Sequence, residues 1–248
     1  MENLFVGYDG PESFGDSVYK IHANKVLKWC PTDNESRWID NSRNPKTKRI
    51  LDEYGWTENS IEYSFNSHGF RADEFEGDGA MFLGCSFTMG IGMDLERTWT
   101  YLVAKELGLK HWNLGQSGRS NDTCFRLADY WIPKIKPKLV CLLPPPMRRV
   151  EVISMDSIIA HIQNLPESLR ERMYTDWLSN DINSVLNTKK NAMAIWYICN
   201  QHNIPLYVIS HDHLDSAHAK YGYARDLAHP GAKWHSLMAK NFIELIKG

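Results

Sequence analysis

Ser86 sits in Gly84-Cys85-Ser86-Phe87-Thr88-Met89-Gly90, and Asp226 and His229 stand three residues apart in Asp226-Leu227-Ala228-His229-Pro230-Gly231. Together they supply the side-chain types of nucleophilic acyl chemistry. A serine needs a neighbouring base to take its proton, and the base needs a third group to hold its tautomer. An i, i+3 pair in a short turn puts both side chains on one side, so His229 can face the serine while Asp226 orients it. Each stretch also has a plain structural reading, as a strand-ending turn and as a polar loop before a helix.

The elements that must position these residues follow from periodicity. The apolar run Ala80-Met81-Phe82-Leu83 reads as a buried strand, and strand and helix patterns alternate after it. Helices are expected over 98–107, 122–132, 182–202 and 231–246, with strands over 111–114, 139–143 and 205–210. Such alternation argues for an α/β domain with a parallel sheet and helices on both faces. Ligands bind at the carboxyl ends of strands in such sheets, which is where Ser86 would stand. The loop Asn113 to Asp122 lies at a second carboxyl end. Its Gly118 permits close backbone approach, so the Ser86 and Gly118 N–H groups are candidate oxyanion donors, while Ser120 or Asn121 would cap the next helix.

Residues 1–79 have a different texture, polar and rich in Asn, Asp and Ser, and read as an irregular N-terminal extension packed on the core. The core domain runs over 80–248, with an insertion at about 148–180 after Pro144-Pro145-Pro146. Five of the nine tryptophans (Trp99, Trp112, Trp131, Trp196 and Trp234) fall on expected core elements. Trp29, Trp38 and Trp56 are the candidates for lining a pocket.

The order of the blocks resembles the SGNH (GDSL-like) hydrolases. Gly84 to Gly90 is similar to that family's GDSxTxG block, with Cys85 in place of the usual Asp. Gly118 corresponds to the glycine of the second block, and Asp226 and His229 to the closing DxxH. Asn66-Ser67-His68-Gly69-Phe70-Arg71 resembles a segment that precedes the core in some members. The resemblance implies a three-layer α/β/α sandwich with a flavodoxin-like parallel sheet. It also implies hydrolysis or transfer of an acyl ester by a Ser86–His229–Asp226 triad through an acyl-enzyme. The expected partner is a small-molecule or carbohydrate ester, with small acyl groups on sugars preferred, and no metal or organic cofactor is required.

The chain departs from the family at the third block, where a Gly-x-Asn-Asp would place an Asn side chain in the oxyanion hole. Here Leu143-Pro144-Pro145-Pro146-Met147-Arg148-Arg149 stands instead. Prolines have no N–H to donate, so a replacement must come from Arg148, Arg149, Asn121 or another loop. Losing one oxyanion donor costs ~10²–10³ in rate in other hydrolases. A binding module with a weak or inactive centre is therefore the alternative reading. Arg148, whose guanidinium fork suits carboxylates and phosphates, and Asn121 are the candidate substrate contacts.

His211-Asp212-His213-Leu214-Asp215 has the HxHxD spacing of a metal-binding segment, but too little chain follows it to supply the remaining ligands. A net charge of -2 gives no global case for nucleic acid. Five scattered cysteines without CxxC spacing suggest neither disulfides nor structural zinc. With no segment of ~20 continuous apolar residues and no signal-peptide pattern, the expectation is a cytoplasmic protein without a membrane anchor. No oligomeric state follows from these features.

Overall fold

The computed structural model of the chain describes residues 15–153, 158–159, 167–168, 171, 181–210 and 220–248. Most of the expected insertion, and the whole HxHxD segment, lie outside the described residues.

Before the core come strand β1 (Val26–Leu27), helices α1 (Glu35–Arg43) and α2 (Pro45–Glu53), and strand β2 (Tyr63–Ser64), which pairs antiparallel with β1. Asn34 and Asn44 start the two helices by accepting hydrogen bonds from the Arg37 and Lys46 N–H groups. Neither helix shows a strong apolar stripe, because α1 buries no residue and α2 buries only Leu51. Irregular backbone therefore alternates here with short helices that polar caps define.

The core follows as β3 (Gly79–Leu83), α3 (Ser86–Met89), α4 (Trp99–Leu107), β4 (Lys110–Asn113), α5 (Asn121–Ile135) and β5 (Leu139–Leu142). A short antiparallel pair, β6 (Val152–Ile153) and β7 (Ile158–Ile159), precedes α6 (Asp181–Gln201), β8 (Leu206–Val208) and α7 (Ala232–Lys247). The main sheet is parallel throughout, in the order β4-β3-β5-β8. Counted from β3, that is the 2-1-3-4 order of flavodoxin-like sheets, whose ligand crevice lies where the order reverses beside the first strand.

Strand alternation builds the three layers. Met81 and Leu83 face α5 and α6 in a cluster with Trp112, Leu127, Val140 and Ile195. Their neighbours Ala80 and Phe82 face the opposite way, joining Trp99, Cys141, Trp234 and Phe242 under α4 and α7. All five residues of β3 are buried, as a strand covered on both faces requires. A third cluster joins the N-terminal segment to the turn after α3, with Cys30, Trp56, Tyr63 and Phe65 against Met89, Ile91 and Met93.

Trp99, Trp112, Trp131 and Trp234 are buried, as expected, but Trp196 is 57% exposed on α6. That helix buries Asn187, Asn191 and Ile195 instead, because Asp122 draws the two asparagines inward. Trp56 is buried, and its indole N–H donates to the Tyr223 carbonyl at 2.9 Å. Helix α5 continues past Ile132 through Pro133, which stands in its last turn before the left-handed Lys136 ends it.

Candidate active site

Ser86 opens α3 directly after the strand end Leu83-Gly84-Cys85, and it is 5% exposed. The junction is tight. A Cβ on Gly84 would stand 2.1 Å from the Thr88 Oγ1 and 2.8 Å from the Leu143 carbonyl oxygen, so only glycine lets β3 turn this close to β5.

Asp226 and His229 share one turn. His229 Nδ1 lies 2.6 Å from Asp226 Oδ2, while Asp226 Oδ1 accepts from the Ala228 N–H at 3.0 Å and the His229 N–H at 3.1 Å. A carboxylate on Nδ1 leaves Nε2 as the nitrogen able to take a proton. Burial pushes the Asp226 carboxyl up, but the hydrogen bond and charge of His229, with the two backbone N–H bonds, outweigh it and hold the group below the usual carboxylate range.

The His229 ring meets the edge of Phe87, the residue after Ser86, with centroids 5.5 Å apart. The Arg225 N–H donates to the Gly92 carbonyl at 2.9 Å, fastening the loop that carries the histidine to the turn that follows α3. The segment that carries His229 thus packs on the segment that carries Ser86, although the two residues are 143 positions apart in the chain.

Gly118 lies in a turn closed by the Arg119 N–H on the Gln116 carbonyl at 3.3 Å, and its φ of 75° is left-handed. Glycine at that place is what a type II turn requires. The Gln116 N–H in turn donates to the Gly84 carbonyl at 3.2 Å, which holds the Gly118 loop beside the start of α3. Ser120 is the cap of α5, in a reciprocal capping box with Thr123.

Asn121 is buried, and its amide donates to the Pro145 carbonyl at 3.1 Å and to Thr188 at 3.3 Å. It ties the proline run to α5 and α6. Nearby, Glu151 accepts from Arg126 Nε at 2.6 Å in a buried ion pair, and its backbone N–H donates to Asp122. Arg148 pairs with Asp181 at 2.7 Å on an exposed surface. Neither Asn121 nor Arg148 is brought against the Asp226–His229 pair by these contacts.

Sequence inspection missed the residues that reach this site from the N-terminal segment. Thr32 Oγ1 donates to Asp226 Oδ2 at 3.2 Å, and Arg37 stands 3.9 Å from the same oxygen. The fully buried Arg71 donates to the carbonyls of Gly90 at 2.6 Å and Met93 at 2.8 Å, gripping the turn after α3. Only the motif around Arg71 carried a signal in the sequence.

Among the described residues no group of three or more His, Cys, Asp or Glu side chains could hold a metal ion. All five cysteines are buried and free. None of the described helices is long and apolar enough to cross a membrane.

No family model matches the chain, and no curated protein matches it. Solved structures of the G-D-S-L lipolytic family are among those it resembles. One, from Veillonella parvula, is 14% identical, covering 69% of this chain and 99% of that one, with a TM-score of 0.36. A psychrotrophic esterase from Pseudoalteromonas sp., solved inhibited by monoethylphosphonate, is also 14% identical over 69% of this chain and 97% of its own, with a TM-score of 0.37. An acetyl xylan esterase from Butyrivibrio proteoclasticus is 11% identical over 69% of this chain and 64% of its own, at 0.35. The α/β assignment rests on the sheet order and the two helical layers of the chain itself.

Proposed function

We propose that the protein is a serine ester hydrolase in which Ser86 is the nucleophile, His229 the general base and Asp226 the residue that orients it. The observation that carries the reading is the 2.6 Å contact of His229 Nδ1 with the buried Asp226 carboxylate, on a ring packed against the neighbour of Ser86. In the forward step His229 Nε2 takes the Ser86 hydroxyl proton as Oγ bonds to the ester carbonyl carbon. The carbonyl electrons move to oxygen, where the Ser86 and Gly118 N–H groups are the proposed donors. Collapse expels the alcohol with the proton from His229, and water then attacks the acyl-enzyme by the same route. An O-acylated carbohydrate is the proposed substrate class, on the block resemblance alone.

The test is p-nitrophenyl acetate hydrolysis by wild type, Ser86→Ala and His229→Ala. A loss of ~10³ or more in kcat/KM in both variants is expected, and equal rates in all three overturn the proposal.

A second reading, a binding module with this fold, is favoured by the proline run. Pro144, Pro145 and Pro146 offer no N–H, and the Asn121 amide nearest them already donates to the Pro145 carbonyl. It predicts saturable binding of an acylated sugar by wild type and Ser86→Ala alike, without turnover.

A further inference from the structure

The Asp226 carboxylate is held from two directions. Its own turn supplies the Ala228 and His229 N–H groups on Oδ1, while Oδ2, the oxygen that meets His229 Nδ1, also accepts the Thr32 hydroxyl. The Arg37 guanidinium, part-exposed, lies 3.9 Å from that same oxygen, too far for a hydrogen bond but close enough for charge attraction. Both residues come from a segment outside the α/β layers, nearly two hundred positions away in the chain.

Their placement is built. Asp33, next to Thr32, makes a buried ion pair with Arg225, next to Asp226, at 2.7 Å. The pairs Thr32–Asp226 and Asp33–Arg225 thus join two consecutive residues on one strand of chain to two on the other. Arg225 also donates to the carbonyls of Lys28 and Glu58, and the Tyr63 hydroxyl donates to Asp33 at 2.6 Å while accepting the Gly92 N–H. Asn34 then starts α1 and sets the backbone of Arg37 through its N–H. A carboxylate with four hydrogen-bond donors and a cation has little freedom to rotate away from the imidazole.

We propose that Thr32 and Arg37 are positioning residues that lock the Asp226 carboxylate onto His229, so that the N-terminal segment completes the active site. The inference rests on the triad reading above. Removing the hydroxyl lets the carboxylate turn, and the His229 ring then samples orientations in which Nε2 no longer faces the serine. The lost interaction belongs to the reacting state, so kcat falls more than KM rises.

The experiment compares Thr32→Val, Thr32→Ser, Arg37→Gln and Arg37→Lys with wild type in the full chain. One readout is p-nitrophenyl acetate kinetics. The other is the downfield proton NMR signal of the His229 Nδ1–H, assigned by its loss in His229→Ala. Thr32→Val is expected to lower kcat ~5–20-fold with KM within about twofold, and Thr32→Ser to restore it. Arg37→Gln is expected to lower kcat ~2–5-fold, with Arg37→Lys between it and wild type. Thr32→Val should also shift or broaden the Nδ1–H signal. An Nδ1–H signal and a kcat both unchanged in Thr32→Val overturn the inference. So does a fall in melting temperature without either change. If wild type shows no Ser86-dependent turnover, the hydrolase reading fails by itself. The NMR signal then decides the positioning role alone, and an unchanged signal in folded Thr32→Val still overturns it.

Discussion

The Asp226 carboxylate and the His229 imidazole stand 2.6 Å apart, with the carboxylate fully buried and the ring nearly so. That pairing selects which imidazole nitrogen can accept a proton, and it ties the chemistry of the site to the protonation of one carboxyl group. Asp226→Asn keeps the shape but presents an amide that can donate where the ring N–H must also donate. A fall in kcat of ~10²–10⁴ is expected by steady-state ester hydrolysis, with the melting temperature lowered because Oδ1 and Oδ2 together accept four hydrogen bonds.

The buried Asp33–Arg225 pair gives a stability prediction. Removing one partner leaves the other charged and desolvated, so Asp33→Ala should destabilise the fold by ~3–5 kcal/mol. Urea unfolding of wild type and variant measures it, and a change below ~1 kcal/mol would show that water reaches Arg225 once Asp33 is gone.

Gly84→Ala tests the close approach of β3 to β5. The added methyl meets the Leu143 backbone carbonyl, directly after β5, as well as the Thr88 side chain, and backbone held at a strand end moves less readily than a side chain. A loss of ~1–3 kcal/mol is expected, and Gly84→Ala with Thr88→Ala should recover only part of it.

Two buried histidines predict acid sensitivity. Burial pushes His111 and His235 down to about 3, with nearby positive charge adding to the effect. His235 is held neutral as an acceptor, its Nδ1 taking the Trp99 N–H at 3.1 Å at the start of α4. An unfolded histidine titrates near ~6.5, so below that pH the unfolded chain binds protons that the folded chain refuses. Stability is therefore full above that value and lost as pH falls towards 3, by about 1.4 kcal/mol per pH unit for each histidine once its unfolded form is protonated. Unfolding free energies between pH 7 and 4.5 should show this slope, and His235→Gln should flatten it by one proton; an unaltered slope would exclude His235 as a contributor.

The layers were readable because their signal is local. Alternate residues of β3 had to face two apolar environments, and α4, α5 and α7 repeat apolar residues at helical spacing. The N-terminal helices lacked such a signal, since Asn caps rather than apolar faces define them. Trp196 misled for a related reason: an indole on a helix counts as core by type, but the buried face of α6 was chosen by the Asp122 contacts to Asn187 and Asn191.

For the candidate site, residue type and spacing along the chain named Ser86, Gly118, Asp226 and His229, because a nucleophile, a glycine turn and an i, i+3 pair each carry local chemistry. The three-dimensional fold alone selected Thr32 and Arg37, brought the Phe87 ring to His229, and sent the Asn121 amide to Pro145. These contacts join segments far apart in the chain, and no local preference of either partner encodes them. The Thr32 and Arg37 contacts exist because burying the Arg225–Asp33 pair and the cluster around Tyr63 fixes how the N-terminal segment lies on the turn after Ser86.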